Sequence, residues 1–286
     1  MATFENKIDF VMFFTVVGAN PNGDPLNGNM PRTDYDGYGE ISDVCIKRKI
    51  RNRMQDMGYS IFVQSNDRIE DDKKSLEERF NSEYNKNDSD ENVYKTSCEK
   101  WMDVRSFGQV MTFQKRSIGI RGPVSISLAK SLSPVDVISM QITRSTNGMI
   151  AKKESGRSSD TMGTKHYVEF GVYKVKGSIN TYFAEKTGFT EEDAEVIKEA
   201  LRTLFVNDAS SARPEGSMEV KQLFWFTHPS KLGVASSAKI QNLVEIKVKD
   251  DTIKPAKYED YEIILNKEKL AQLESKGLRI DIIEGL

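Results

Sequence analysis

Set aside its polar interruptions and this sequence reads strand, basic helix, strand, strand, capped helix, strand. That order predicts an α+β fold of the βαββαβ, ferredoxin-like (RRM-like) kind. Three observations carry the expectation. Phe10–Val17 is an unbroken apolar run with the length of a buried strand. Asp43–Met57 places Ile46, Ile50, Met54 and Met57 on one helical stripe, with Ser42 or Asp43 as cap and Gly58 as stop. Thr190–Asp193 forms a capping box, opening a helix whose apolar stripe is Ala194, Ile197, Leu201, Leu204 and Phe205.

Between the first strand and the basic helix lies Gly18–Arg32, where Gly, Asn and Pro permit tight turns and close approach by a partner. Lys47 and Arg51 stand one turn apart beside the apolar stripe, with Arg48 and Gln55 further round. A cationic row next to such a loop suits phosphate. After Gly58, Tyr59–Gln64 reads as a strand, Asp71–Tyr84 as a charged helix, and Asn85–Asn92 as a mobile surface loop. Trp101–Met111 returns to the core as a short helix ending near Gly108. Ser117–Leu128 and Val137–Ser145 alternate as strands. Arg144–His166 has no periodicity, and loops of that length tend to be functional or disordered. Its Met149, Ile150 and Met162 could wedge against bases. Strands follow at Tyr167–Lys176, Met218–Phe226, Val244–Val248, Tyr261–Leu265 and near Leu278–Ile283, with a helix at Lys267–Ser275 and a small-residue loop at Asn207–Ser217.

The 286 residues can bury a substantial core, and 41 Lys and Arg against 43 Asp and Glu leave a net charge of −2. The layout is less even than the sum. Residues 66–99 carry a local −5, residues 100–166 a local +7, and the basic helix +3, as in a protein with one polyanion-binding face and one repelling face. Cys45 and Cys98 have no CxxC or Cys/His companion, so neither a zinc site nor a disulfide framework is expected. No signal-peptide pattern and no membrane-length apolar run is visible, and a soluble, cytoplasmic protein without membrane partners is expected.

Catalytic readings fare poorly. Gly18 and Gly23 have the spacing of half a P-loop, but Asp24 and Pro25 follow where Lys and Ser or Thr are needed. Asp34, Asp36 and Glu40 miss the EF-hand spacing and read as turn residues. His166 and His228 have no nucleophile or acid partner in the sequence. No catalytic residue, metal or cofactor is expected. The aromatic motif of RNA-recognition modules is absent too, so stacking of bases on the sheet is not supported.

Gly18–Pro25, Asp43–Asn52, Phe107–Met111, Ile120–Val124, Pro134–Asp136, Met162–His166 and Ser210–Arg213 together resemble the crRNA-binding backbone subunit of Cascade, the CRISPR surveillance complex, in its type I-C form. The likeness spans most of the chain up to about Phe226. It implies one domain over residues 1–286: a ferredoxin-like palm, fingers inserted at about 59–105 and a thumb at about 144–166. It implies a non-catalytic protein that polymerises head to tail along crRNA and presents the guide for pairing with target DNA. Its partners would be further copies of itself and the crRNA-processing, large and small subunits. RNA contacts are then expected at Asn20, Asn22, Gly23 and Arg32 in the first loop and at Lys47, Arg48 and Arg51 on the helix. Further contacts are expected at Gln109, Arg121, Arg144, Met149, Met162, Lys165, His166, Ser210 and Arg213. Lys47 and Arg51 should be removable without loss of the fold. The competing reading is a type III-like backbone subunit that cuts target RNA with a metal ion and a loop aspartate, Asp24 or Asp34.

Overall fold

A computed structural model describes residues 3–143 and 162–286. In chain order the first elements are β1 (Ile8–Ala19), β2 (Gly23–Asp24), β3 (Met30–Pro31), β4 (Tyr38–Ile41) and α1 (Asp43–Asp56). Then come α2 (Leu76–Glu83), α3 (Asp90–Lys100), α4 (Met102–Phe107), β5 (Gly108–Met111), β6 (Ile118–Arg121) and β7 (Val124–Ile126). The middle of the chain supplies β8 (Ala129–Pro134), β9 (Val137–Thr143), β10 (Met162–Ile179), α5 (Thr181–Thr187) and α6 (Glu191–Arg202). Last are β11 (Met218–Thr227), α7 (Ser237–Gln241), β12 (Val244–Val248), β13 (Tyr261–Leu265), α8 (Lys267–Glu274) and β14 (Arg279–Glu284).

The chain is organised around β1. It pairs antiparallel with β10 on one side and β11 on the other, inside a sheet of order β14-β11-β1-β10-β8-β4, with β7 and β9 also pairing β10. Both of its faces are covered, which is why its sequence is a continuous apolar run and does not alternate. Phe10, Met12, Phe14 and Val16 belong to the larger core with α1 and α6, where Phe10 stacks on Trp225 and Phe14 on Tyr173. Val11 and Phe13 point the other way, into a second cluster with Phe224 and Phe226 of β11 and Ile240, Val244 and Leu270 of the C-terminal lobe. Fully burying each such side chain stabilises by about 1.5–3 kcal/mol.

A third cluster stands apart: Phe62, Phe80, Tyr84, Val93, Trp101, Val104, Met111 and Ile118 pack α2, α3, α4 and the β5–β6 hairpin together. Here the structure departs from the sequence reading. Tyr59–Gln64 forms no strand, because the amide N–H groups of Phe62 and Val63 donate to the Asp103 carboxylate and have no ladder partner. The charged helix starts only at Leu76. Residues 71–74 instead turn around Arg79, whose guanidinium donates to Asp71 and to the carbonyl of Lys73, with Asp72 at φ +57°. Residues 85–92 are a turn that becomes α3 at Asp90, capped by Ser89. Met162–His166 is not aperiodic loop but the first part of β10, paired in register with β9. Residues 144–161 lie outside the described residues.

Candidate nucleic-acid interface

The end of β1 is where three chain segments converge. Gly18 turns at φ +59°, in the left-handed region that favours glycine. The next residue, Ala19, pairs with Val168 of β10, so the β9–β10 arm leaves the sheet beside this turn. Asn20 is buried; its backbone N–H donates to Ala212 O at 2.9 Å and its Nδ2 to Asn29 O at 2.6 Å. Asn22 Oδ1 accepts the N–H of Ser42 at 2.9 Å, fixing the loop to the start of α1, where Ser42 Oγ accepts from Cys45 N. Gly23 lies so close to Asn29 that a Cβ would fall 2.0 Å from its Oδ1. Arg32 pairs with Asp24 at 3.3 Å. The β2–β3 loop is therefore a tied hairpin, with Leu26 exposed at its tip.

On α1 the cations divide by partner. Among the described residues Lys47 Nζ bonds only the half-exposed Asp43 carboxylate, at 2.9 Å on its own helix. Arg48 Nη1 donates to Val63 O at 2.6 Å, and burial, with Arg51 beside it, holds its guanidinium below the ordinary arginine range. Arg51 Nε donates to buried Asp103 at 2.9 Å and its guanidinium lies 4.9 Å from the Phe107 ring centre, so Arg51 is part of the packing. Lys49 is buried and paired with Asp208, which Arg213 Nε also reaches at 3.2 Å. Burial pulls the Lys49 ammonium below the usual lysine range despite that carboxylate. Ser210 and Arg213 exchange backbone bonds of 2.8 and 3.0 Å, closing the 207–217 loop beside Asn20.

The other expected contacts spread along α1 and up the arm. Gln109 and Arg121 both lie on the β5–β6 hairpin, which follows Phe107 and so continues from Arg51, but Gln109 pairs with Ile120 and Arg121 with Gly108, so they occupy opposite faces. Arg121 is exposed, its guanidinium 4.1 Å from the Phe183 ring centre. The register places it near the opposite end of β1, since Val124 pairs with Ile179 and Ile179 with Ile8. Lys165 and His166 are half-buried on the arm, opposite Met140 and Ser139, and His166 Nδ1 lies 2.8 Å from Ser139 Oγ. Met162 is exposed, opposite Thr143. Arg144 and Met149 lie outside the described residues. Lys49 and Asp208 escaped the sequence reading, although position 49 borders the Ile46–Ile50 stripe, where a lysine must find a partner or pay for desolvation.

The match to known proteins is decisive at the level of family. The family model described as "CRISPR-associated protein Cas7" matches residues 6–266. The chain belongs to the Cas7 family. A "CRISPR-associated protein Cas7" from Haloferax volcanii is 25% identical over 210 residues, covering 66% of this chain and 61% of that relative's length. Two solved structures also resemble it. One is a "CRISPR RNA-guided surveillance complex, pre-nicking", at 14% identity and TM-score 0.48, covering 77% of this chain and 75% of that one. The other is a "CRISPR RNA-guided surveillance complex", at 15% identity and TM-score 0.44, covering 77% and 68%.

Two carboxylates of this Cas7-family chain bear on catalysis. Asp34 Oδ1 accepts the N–H groups of Asp36 and Tyr38 at 3.0 and 2.9 Å, and its bond from Lys130 holds the carboxyl below the usual range. Asp24 accepts Leu26 N–H and pairs with Arg32. Among the described residues no group of three or more His, Cys, Asp or Glu could hold a metal ion, and no helix is long and apolar enough to cross a membrane.

Proposed function

We propose that this Cas7-family chain is the non-catalytic backbone subunit of a type I-C crRNA-guided surveillance complex, binding crRNA and repeating along it as a head-to-tail filament in the cytoplasm. The observation that carries the reading is the convergence at the end of β1. The Asn20–Arg32 hairpin, the N-terminal half of α1 with Lys47, the Ser210–Arg213 loop and the base of the β9–β10 arm meet there. Such an arrangement offers cations to phosphate, which carries no base identity, so sequence would be left to guide–target pairing. Contacts between identical copies that do not close build a filament whose length the RNA sets.

The palm of this reading is ferredoxin-like: β11-β1-β10 flanked by β7 and β8, with α1 and α6 on one face, follows the βαββαβ order. The fingers correspond to the separate cluster centred on Phe62 and Trp101, and the thumb to the β9–β10 arm. Partners are crRNA, target DNA through the guide, further copies and the other Cascade subunits. Purified protein should carry RNA, read as a raised 260/280 nm absorbance ratio and a discrete band on a denaturing gel; nucleic-acid-free protein would reject the reading. Incubation of the loaded complex with complementary RNA and Mg²⁺ tests the competing type III-like reading. Uncut RNA is expected, and periodic cuts lost in Asp24→Ala or Asp34→Ala would make this chain a nuclease.

A further inference from the structure

The sheet face opposite α1 and α6 is covered only in part. The C-terminal lobe lies over Val11, Phe13, Phe224 and Phe226 and meets β10 at Asn242 and Val244, which accept the lysine bonds described next. Beyond that edge a cavity of about 340 Å³ opens over β8 and β10, lined by Lys130, Lys174 and Lys176 with Tyr38 and Ser127, and with Asp36 on its wall. That volume lies at the small end of the range, about 300–1,000 Å³, in which ligand sites fall.

Lys174 is the group without an evident structural reason. Its Nζ donates to Val244 O at 2.7 Å and lies 5.6 Å from the Phe13 ring centre, and among the described residues it has no carboxylate in ion-pair reach. Lys176, on the same face of β10, donates to the neutral Asn242 Oδ1 at 3.2 Å. Lys130 is already paired with Asp34. Burial and the neighbouring Lys176 charge lower the Lys174 ammonium to about 8. Two cations with neutral partners thus face one hollow, a costly arrangement for a half-buried charge unless an anion enters. We propose that this cavity is a phosphate-binding site, Lys174 and Lys176 its principal ligands and Lys130 at its mouth, on the sheet face away from the α1 interface. The ligand chemistry is a phosphate group, either free as a monoester or carried in a nucleic-acid strand. The proposal goes beyond the crRNA reading and does not depend on it.

The test uses the purified protein with whatever RNA it carries. Lysines are acetylated at neutral pH in potassium phosphate, in potassium chloride of equal ionic strength, and in chloride plus a short single-stranded oligonucleotide without terminal phosphate. Modified positions are then read by mass spectrometry. Millimolar phosphate is expected to protect Lys174 and Lys176, and chloride is not. The concentration for half-protection of Lys174 should rise about tenfold in Lys176→Gln, and that of Lys176 likewise in Lys174→Met, as loss of one charge-assisted contact implies. Protection by the oligonucleotide below the phosphate concentration would assign the site to a strand; protection by phosphate alone would assign it to a free phosphate. Equal modification in all three solutions, or half-protection unchanged in both variants, overturns the proposal. The absorbance ratio, recorded on the same samples, reports separately on the crRNA reading.

Discussion

Arg51 on α1 and Asp103 on α4 form a buried ion pair, Nε to Oδ2 at 2.9 Å, and the same carboxylate accepts the N–H groups of Phe62 and Val63 at 2.7 and 3.1 Å. This is the joint between the sheet-packed helix and the separate cluster around Phe62 and Trp101. Arg51→Ala would leave Asp103 buried with only its two amide bonds. Removing one partner of a buried pair costs about 3–5 kcal/mol, and the remaining amides should hold the loss near the lower figure. A urea unfolding series should show it as a lowered midpoint, partly recovered in Arg51→Ala with Asp103→Asn. Arg51→Ala is therefore expected to fold with reduced stability, which the expectation of an intact fold did not anticipate. A variant of unchanged midpoint that had nonetheless lost RNA would restore Arg51 as a phosphate ligand.

Lys47 is the cleaner probe of the interface. Its bond to Asp43 is a half-exposed i,i+4 pair on one helix, a contact worth about 0.3–0.5 kcal/mol. Lys47→Ala should therefore leave the unfolding midpoint almost unmoved while weakening RNA binding for every sequence alike. The slope of log K against log salt should fall by about 1 if one phosphate contact is lost. A slope equal to that of the unaltered protein would remove Lys47 from the interface.

The sequence made β1 legible as an unbroken apolar run, and α1, α6, β12 and β13 through apolar residues at their own period, and those residues are where the core is. It misled at Tyr59–Gln64, where strand-like residues are held by a carboxylate some forty positions away that no local pattern announces. Met162–His166 was opaque for the opposite reason. Met162–Thr164 and the facing Gln141–Thr143 are exposed, so this strand carries no apolar alternation and is held by its pairing with β9. At the candidate interface the residue types were legible and their commitments were not. Lys47, Arg48, Lys49 and Arg51 look alike in sequence, yet a half-exposed carboxylate, a carbonyl, a half-buried loop aspartate and a buried helix aspartate separate them.

Lys49 and Asp208 should behave as a coupled pair. Lys49→Met would leave Asp208 with Arg213 alone, at 3.2 Å, and loosen the 207–217 loop that docks on β1 through Asn20 and Val17. A loss of about 2 kcal/mol is expected, with Asp208→Asn alone costing a similar amount and the double variant clearly less than their sum. Amide exchange of Asn20 and Val17, measured in the single variants, should quicken with the loop. Additive single losses would show that the two side chains do not act together.

Asp9 gives the fold an acid limit. It lies at 0% exposure under the C-terminal lobe, where Nε2 of the equally buried His228 bonds its Oδ2 at 2.9 Å and Lys7 Nζ does so at the same distance. His228 Nδ1 accepts the N–H of Val234 at 3.0 Å, so the ring carries its proton on Nε2 and donates it to Asp9. Burial alone would push the Asp9 carboxyl up, but the side chains of His228, Ser237 and Lys7 together outweigh it and hold the carboxyl below its ordinary value. A carboxyl depressed in the folded state contributes stability that is fully present above its unfolded pKa of about 3.9 and is lost as pH falls through the folded value. Asp9→Asn should therefore lower the urea midpoint by a constant amount from neutral pH down to about pH 4. Below that the gap between the variant and the unaltered protein should close, as Asp9 protonates and the parent loses what the variant never had. A gap that widened on acidification would mean that Asp9 is protonated more readily in the folded chain than in the unfolded one, and His228, Ser237 and Lys7 would not be what holds it.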